Sequence, residues 1–294
     1  MNDFKPDIVG PHPNPRKPSF KMPPKACDAH CHVFGPGAVF PYAPDRSYTP
    51  PDAPKEGLMA LHDHLGISRA VIVQASCHGT DNTATLDAIA ASDGRYMGVA
   101  MVDDDVTDDE LQRLHDGGIR GIRFNFVRHL GGAPDLDVFH NVVERITLRG
   151  WHLVLHLDSR DIIDYEDMFR ALPLPIVIDH MGRVDASKGV DQEPFQVLLK
   201  FLENDNVWVK VSGSERITKQ GAPFADSVKI AAALVAAAPD RALWGTDWPH
   251  PNMGPDGAPD DGLLVELVPQ IAETEDLRQK LLVDNPARLY DFSD

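Results

Sequence analysis

The sequence predicts one (β/α)8 barrel of the TIM type, preceded by an extended N-terminal arm. Past residue 25, short apolar runs rich in β-branched residues alternate with segments of helical period, which is typical of βα units around a parallel sheet. Eight such runs occur, and 294 residues is an ordinary length for a single barrel domain. We therefore assign residues 1–25 to the arm and residues 26–294 to the barrel.

The arm is predicted from its prolines. Its sequence is MNDFKPDIVGPHPNPRKPSFKMPPK. Proline fits neither the interior of a helix nor a central strand, so we expect an extended segment that lies on the barrel or on a partner subunit.

Each predicted strand is a run of about four to eight residues, and a helical segment separates it from the next. The strands begin at Cys27, Arg69, Met97, Ile119, His152, Pro175, Val207 and Ala242. Between the third and fourth, Thr107 and Glu110 have the spacing of a capping box, and Gly117 predicts the end of the helix. The first strand leads into HCHVFGPG rather than GxGxxG, which argues against an open, doubly wound sheet.

Composition excludes several classes of partner. A net charge of -17 argues against binding to nucleic acid or to an anionic membrane, although a small anion could bind where arginines gather. No stretch of 18 apolar residues predicts a membrane span. The cysteines Cys27, Cys31 and Cys77 are odd in number and lack CxxC spacing, so we expect a cytoplasmic protein without a disulfide framework. A homo-oligomer is compatible with the sequence.

Polar residues stand at the ends of four predicted strands. In a barrel these carboxyl ends face the active-site mouth. The residues are His30 and His32 in strand 1, His156 in strand 5, Asp179 and His180 in strand 6, and Asp247 in strand 8. Because His30 and His32 are two apart on a strand, their imidazoles point to the same face, as shared metal binding requires.

Together these strand ends predict a metal site. His30, His32, His156 and Asp247 supply four nitrogen and oxygen donors, enough for one divalent ion of the zinc type with a position open to water. Taken singly, a buried histidine is more often a core residue than a metal ligand. Asp247 is also the candidate general base, since the run LWGTDWP offers it no cationic partner. We expect His180 to orient or polarise the reacting carbonyl.

Arginines near the strand ends predict an anionic substrate, because guanidinium groups bind acidic groups through paired hydrogen bonds. Arg123 at the end of strand 4 and Arg216 just after strand 7 are best placed. Arg128 and His129 follow in the loop after strand 4, and Arg183 in the loop after strand 6. A loop arginine is by itself more often a solvated surface residue.

Two hydroxyl groups complete the predicted binding set. Ser76 and Tyr48 could donate hydrogen bonds to substrate oxygens, although a turn serine and a packed tyrosine are equally good interpretations. A nucleophilic role for Ser76 or Cys77 with His78 is disfavoured, because no GxSxG motif is present and adjacent strand residues face opposite sides.

Six motifs give the chain after the arm a specific resemblance: DAHCHVFGP, VIVQASCHGTDN, GIRFNF, PIVIDHMGR, WGTDWPHPN and DNPARLY. The sequence resembles the amidohydrolase superfamily, in particular the group of 2-pyrone-4,6-dicarboxylate lactonases and 4-sulfomuconolactone hydrolases. The resemblance implies a barrel, hydrolysis of a small acidic lactone in the bacterial breakdown of aromatic compounds, and a water activated by the aspartate of strand 8.

The resemblance also implies two sets of residues. The catalytic core comprises His30, His32, His180 and Asp247. The groups that hold the acids of the substrate are Ser76, Tyr48, Arg123 and Arg216.

Two positions depart from the pyrone lactonase pattern. His129 stands where that group has an arginine, with Arg128 beside it, and His156 stands where that group has a tyrosine. His156 restores the strand 5 histidine of metal-bearing amidohydrolases, so the resemblance favours a Zn²⁺-type site and a sulfonated lactone. The resemblance then predicts 4-sulfomuconolactone as the substrate, which would give maleylacetate and sulfite, and the alternative is 2-pyrone-4,6-dicarboxylate.

Two rival functions remain open at this point. A decarboxylase of the same superfamily would use the same histidines and aspartate but release carbon dioxide. A barrel that only binds acidic metabolites is a second alternative, although it would have no use for a water-activating carboxylate at position 247.

Overall fold

Eight parallel strands in sequence order form the barrel that the sequence predicts. The computed structural model describes residues 6–253 and 257–293. Each strand pairs in parallel with the next one along the chain. The strands are β1 (Cys27–Cys31), β2 (Arg69–Val73), β3 (Tyr96–Ala100), β4 (Ile119–Asn125), β5 (His152–His156), β6 (Ile176–Ile178), β7 (Val207–Lys210) and β8 (Ala242–Leu243).

Backbone hydrogen bonds between β1 and the segment after β8 bring the barrel close to closure. The amide of Ala29 donates to the carbonyl of Trp244 at 2.8 Å, and the amide of Asp247 donates to the carbonyl of His30 at 2.8 Å. The amide of His32 donates to the carbonyl of Trp248 at 2.7 Å. Asp247 therefore lies directly beside His30 and His32.

Helices surround the strands. They are α1 (Lys55–Leu65), α2 (Thr83–Ala90), α3 (Asp108–Asp116), α4 (Leu136–Thr147), α5 (Asp161–Asp164), α6 (Glu166–Arg170), α7 (Glu193–Phe201), α8 (Ser214–Ile217), α9 (Ala225–Ala237), α10 (Asp261–Ile271), α11 (Glu275–Gln279) and α12 (Asn285–Tyr290). The prediction for α3 is confirmed, because Thr107 Oγ1 accepts from the Glu110 amide at 3.1 Å and Gly117 follows the last turn. Among the described residues, no helix has the length and apolar character of a membrane span.

The apolar core has two parts, as expected for a barrel whose interior is filled by side chains. The larger part includes the outward-facing strand residues and the helix faces packed against them, for example Ile72, Phe139 and Leu198. The smaller part contains valines from several strands together with Tyr290 and Phe292 from the C-terminal segment.

A bulge in β1 controls the direction of its histidines. Asp28 pairs with Ala70 and Cys31 pairs with Ile72, so β1 has one more residue than β2 over this stretch. Such a bulge re-aims side chains next to a site. As a result, Asp28 turns toward α1, where its Oδ2 lies 3.3 Å from His62 Nε2, while His30 and His32 face each other.

Strands 6 and 8 are shorter than predicted. β6 ends at Ile178, because the following His180 and Met181 have φ angles of 49° and 55° and turn the chain away from the sheet. β8 has only two residues, and after it Asp247 has a φ angle of 66°. Side chains carry a cost in this left-handed conformation, so packing around the site must hold both turns.

The described part of the arm, residues 6–25, contains neither helix nor strand. It lies against α10, where Arg16 Nε donates to Asp260 at 2.7 Å and Ser19 Oγ donates to Glu266 at 3.0 Å. Residues 1–5 are outside the described residues, and the division at residue 26 stays a prediction.

Candidate active site

A pocket opens at the carboxyl ends of the strands. Of the predicted site residues, those that line the pocket are His32, Tyr48, Ser76, Arg123, His129, His156, His180, Arg183, Arg216 and Asp247. His30 and Arg128 do not line it.

Three donor atoms meet where β1 and the segment after β8 are joined. His30 Nε2 lies 3.3 Å from His32 Nε2. Asp247 Oδ1 lies 3.3 Å from His32 Nε2 and 3.5 Å from His30 Nε2. Bonds of about 2.0–2.1 Å to a tetrahedral zinc place its ligand atoms about 3.3 Å apart, so these three atoms fit one face of such a site.

The other ring nitrogens have partners that fix the rings. His32 Nδ1 donates to the carbonyl of Val73 at 2.8 Å, which leaves Nε2 with a free lone pair. His30 Nδ1 lies 3.2 Å from Asp179 Oδ1 and 3.0 Å from Lys210 Nζ. With its proton on Nδ1 and shared with Asp179, His30 also has a free lone pair on Nε2. The residues therefore fit a divalent metal with three protein ligands.

Two histidines of this site, His30 and His180, are neutral at neutral pH. Burial, helped by the charge of Lys210, lowers the pKa of His30 to about 4. Burial also lowers the pKa of His180 well below its ordinary value. His180 Nε2 lies 3.8 Å from Asp247 Oδ1, and its Nδ1 lies 3.0 Å from Ser212 Oγ. Neutral imidazoles can serve as metal ligands or as hydrogen-bond partners of a substrate.

His156 stands apart from the three donor atoms, although the sequence groups it with them. Among the described residues it belongs to none of the groups whose ligand atoms lie within 4.8 Å of one another. Its Nδ1 bonds to Asn125 Oδ1 at 3.0 Å, and its buried Nε2 has no partner in the described part of the chain. Burial, and next the charge of Arg123, lower the pKa of His156, so it presents a neutral acceptor to the pocket.

Asp247 has a cationic partner, contrary to the expectation from its local sequence. Arg216 Nε, from helix α8, donates to Asp247 Oδ2. Burial alone would raise the pKa of Asp247, but the Arg216 guanidinium holds it well below the ordinary value, so this carboxylate is ionised. A local run could not reveal this partner, because Arg216 comes from the preceding βα unit.

Arg216 also keeps a free donor. Its Nη1 donates to the carbonyl of Pro251 at 2.9 Å, whereas its buried Nη2 has no partner among the described residues. Arg123 Nε donates to Asp179 at 3.1 Å, and Arg183 Nε donates to Asp158 at 3.2 Å. All three arginines line the pocket, and each is paired with an aspartate.

The remaining predicted residues differ in placement. Tyr48 is buried, and its hydroxyl lies 3.5 Å from Ser76 Oγ at the pocket wall. His129 lines the pocket, with its ring 6.5 Å from that of His156. Arg128 is exposed, and its backbone amide donates to Asp158 at 3.1 Å. The structure thus brings His129 but not Arg128 to the pocket.

This combination of barrel, strand-end histidines and strand 8 aspartate has counterparts among known proteins. The family model described as Amidohydrolase matches residues 27–292. The chain belongs to the amidohydrolase family. The match covers all eight strands and every residue of the donor group.

Relatives within the amidohydrolase family are similar along nearly the whole chain. The chain is 53% identical to 2-pyrone-4,6-dicarboxylate hydrolase of Comamonas testosteroni, over 94% of this chain and 93% of that protein. It is 43% identical to 4-sulfomuconolactone hydrolase of Rhizobium radiobacter, over 97% and 96% of the two chains. A crystal structure from Agrobacterium tumefaciens superimposes with a TM-score of 0.83 at 30% identity, over 94% and 99%.

Several buried charged residues around this amidohydrolase site were missed from the sequence. Lys210 in β7 is fully buried and lies 3.1 Å from Asp179. Glu215, His250 and Asp261 form a second buried group beside Arg216 and Asp247. One signal was available for Lys210, since a lysine inside the apolar run VWVKVSG must be paired if the strand is buried.

Proposed function

We propose that this amidohydrolase hydrolyses a small acidic lactone. The observation that carries the proposal is the ionised Asp247, which faces a pocket lined by three arginines. A buried carboxylate beside neutral imidazoles can take a proton from water, and the arginines suit an anionic substrate. Both relatives named above are lactone hydrolases, which supports an ester bond as the target.

In the proposed mechanism, Asp247 Oδ1 accepts a proton from water while Arg216 holds Oδ2 in place. The resulting hydroxide attacks the lactone carbonyl carbon, and the bond to the ring oxygen breaks. The protonated Asp247 returns its proton to that leaving oxygen, and the new carboxylic acid releases one proton to solvent. When Ser212 donates to Nδ1 of His180, the proton of His180 lies on Nε2 and can stabilise the oxyanion. The free Nη2 of Arg216, with Arg123 and Arg183, binds the acidic groups of the substrate.

We infer that His30, His32 and Asp247 hold a divalent metal, with zinc the best match to two histidines and a carboxylate. When bound, a metal there supplies Lewis-acid polarisation of the carbonyl oxygen. His156, predicted as a fourth ligand, is better placed to accept a hydrogen bond from the substrate.

Two lactones are candidate substrates of this protein. We place 2-pyrone-4,6-dicarboxylate first, because identity to the relative named for it is 53%, against 43% for the relative named for the sulfonated lactone. This reverses the order that the resemblance in the sequence suggested. The second candidate, 4-sulfomuconolactone, is favoured by His129 and His156, both of which line the pocket.

Absorbance assays of the purified protein with each lactone, with and without a chelator, test this function. We expect ring opening of at least one lactone, with release of one proton and no carbon dioxide. Carbon dioxide release would instead support the decarboxylase alternative, and tight binding without turnover would support a binding protein. Either result would overturn the proposal.

Other expectations from the sequence stay predictions. They are a cytoplasmic location, the absence of nucleic acid and membrane partners, and a homo-oligomeric state. Gel filtration with light scattering tests the last of these.

A further inference from the structure

A buried group of three charged side chains lies next to the proposed catalytic pair. His250 is fully buried in the loop after β8, three residues beyond Asp247. Its Nδ1 lies 3.3 Å from Glu215 Oε1, and its Nε2 lies 3.0 Å from Asp261 Oδ1. Both carboxylates are buried. We refer to Glu215, His250 and Asp261 as the carboxylate clamp.

The imidazole of the clamp is charged. Burial alone would lower the pKa of His250, but the carboxylates of Asp261 and Glu215 raise it to about 10. At neutral pH both ring nitrogens therefore carry protons, and each donates to one carboxylate. The proposed reaction has no use for these protons, since neither carboxylate of the clamp lines the pocket.

The clamp joins three separate elements of the barrel. Glu215 belongs to α8, after β7, and precedes the Arg216 that bonds to Asp247. Asp261 is the first residue of α10. His250 lies between them, and its backbone amide donates to the carbonyl of Asp247 at 2.8 Å.

The loop held by the clamp has an unfavourable backbone. Asp247, His250 and Asn252 have φ angles of 66°, 64° and 60°, a region that side chains disfavour. Such a conformation persists when surrounding contacts fix it. The clamp supplies two charge-assisted hydrogen bonds at the middle of this loop.

We propose that His250 is a positioning residue that, through Glu215 and Asp261, holds Arg216 and the loop after β8 where Asp247 Oδ1 faces the pocket histidines. The inference rests on the proposed role of Asp247 in the reaction. The clamp touches no substrate and acts through Arg216 and the backbone of Asp247.

Two neutral replacements of Glu215 test this inference. Glu215→Gln keeps an oxygen that accepts the hydrogen bond from His250 Nδ1, whereas Glu215→Leu cannot accept one. Both variants keep Asp261 as the counter-charge of His250, so neither leaves the imidazolium unpaired in the core. The two variants therefore differ in the hydrogen bond and are matched in charge.

We expect Glu215→Leu to lower kcat by about 10–100-fold, with KM within about threefold of the parent value, because a small displacement of a reacting group slows chemistry more than binding. Glu215→Gln should keep most of the parent kcat. The melting temperature of each variant separates this effect from loss of folded protein. Equal kcat in the two variants would overturn the inference.

Crystal structures of the same variants test the inference independently of any substrate. The distance from Asp247 Oδ1 to His32 Nε2 is 3.3 Å here. It should be retained in Glu215→Gln and lengthened in Glu215→Leu. An unchanged distance in Glu215→Leu would reject the positioning role, whereas an inactive parent protein with this expected lengthening would reject only the proposed function.

Discussion

Asp247 has two oxygens in different surroundings. Oδ2 accepts from Arg216, while Oδ1 lies within 3.3–3.8 Å of Nε2 atoms of His32, His30 and His180. The guanidinium therefore keeps the carboxylate ionised and turns one oxygen toward the pocket. Oδ1 is therefore the oxygen of Asp247 that can take part in the proposed chemistry.

The separation of His156 from the donor group leads to a prediction about metal binding. We expect His32→Asn to weaken zinc affinity by at least about 100-fold, because it removes one of the three proposed ligands. His156→Asn should stay within about threefold of the parent affinity, because among the described residues His156 belongs to none of the groups of closely spaced donor atoms. Competition titration with a chromophoric chelator measures both. A large loss of zinc affinity in His156→Asn would instead show that His156 is a ligand.

The sequence identified the histidines, Asp247 and the arginines as candidate site residues. Each of them lies in or just after a strand, and the strand ends meet at one mouth of the barrel. It could not show which of these groups pair with one another. Arg216 and Asp247 belong to different βα units, and Lys210 and His30 are 180 residues apart in the sequence. Such pairings depend on side-chain direction, including the bulge in β1, which alternation alone does not predict.

At the scale of elements, the contact between β1 and the segment after β8 depends on a glycine. A Cβ at Gly245 would lie 2.6 Å from the backbone nitrogen of His30 and 2.9 Å from Asp28 Oδ1. The two segments can approach this closely only without a side chain at that position. The site thus depends on a close backbone approach as much as on its polar groups.

Gly245→Ala should lower the free energy of unfolding by about 1–3 kcal/mol, because the added methyl group displaces the backbone of β1. Gly10→Ala is the matched control, since its Cβ would meet only Pro51 Cγ at 3.3 Å. We expect the control to change stability by less than about 0.5 kcal/mol. Urea denaturation measures both, and equal stability of the two variants would contradict this account of the contact.

The arm is held to α10 by carboxylates, so its attachment should depend on pH. Hydrogen bonds from the Ser19 amide and hydroxyl lower the pKa of Glu266. Burial alone would raise the pKa of Asp260, but hydrogen bonds from Arg16 lower it below the ordinary value. Carboxyl groups with a lowered folded-state pKa stabilise the attached arm above their ordinary pKa values, and this contribution is lost as the pH falls through the folded values.

Hydrogen exchange, corrected for intrinsic rates, tests the attachment of the arm. We expect the amides of residues 6–25 to lose protection as the pH falls from 7 to below about 4, before those of helix α9. Glu266→Gln should show part of this loss already at pH 7. Arm protection that is independent of pH would show that these carboxylates do not hold it.

At the scale of the whole molecule, the barrel was predictable because the alternation of apolar runs and helical segments recurs eight times. This pattern predicts that eight strands exist, but it does not predict the residues at which they end. β6 and β8 are short because the chain turns away at residues with positive φ, near His180 and Asp247. Both residues belong to the candidate site. The sequence pattern therefore mispredicted the strand ends where the site has an unusual backbone conformation.

The protein carries a net charge of -17, yet Arg123, Arg183 and Arg216 all line the same pocket. Each is already paired with an aspartate. An anionic substrate would therefore bind through guanidinium nitrogens that these pairs leave unused, such as Nη2 of Arg216, which has no partner among the described residues.

The most direct test of the account compares the parent protein with Asp247→Asn on 2-pyrone-4,6-dicarboxylate and 4-sulfomuconolactone. We expect the parent to open one or both rings and the variant to lose about 10²–10⁴-fold in kcat, because asparagine keeps the shape but not the base. The Asp247→Asn variant should still bind the lactone, as measured by calorimetry. Undiminished turnover by Asp247→Asn would contradict the central role given to this carboxylate.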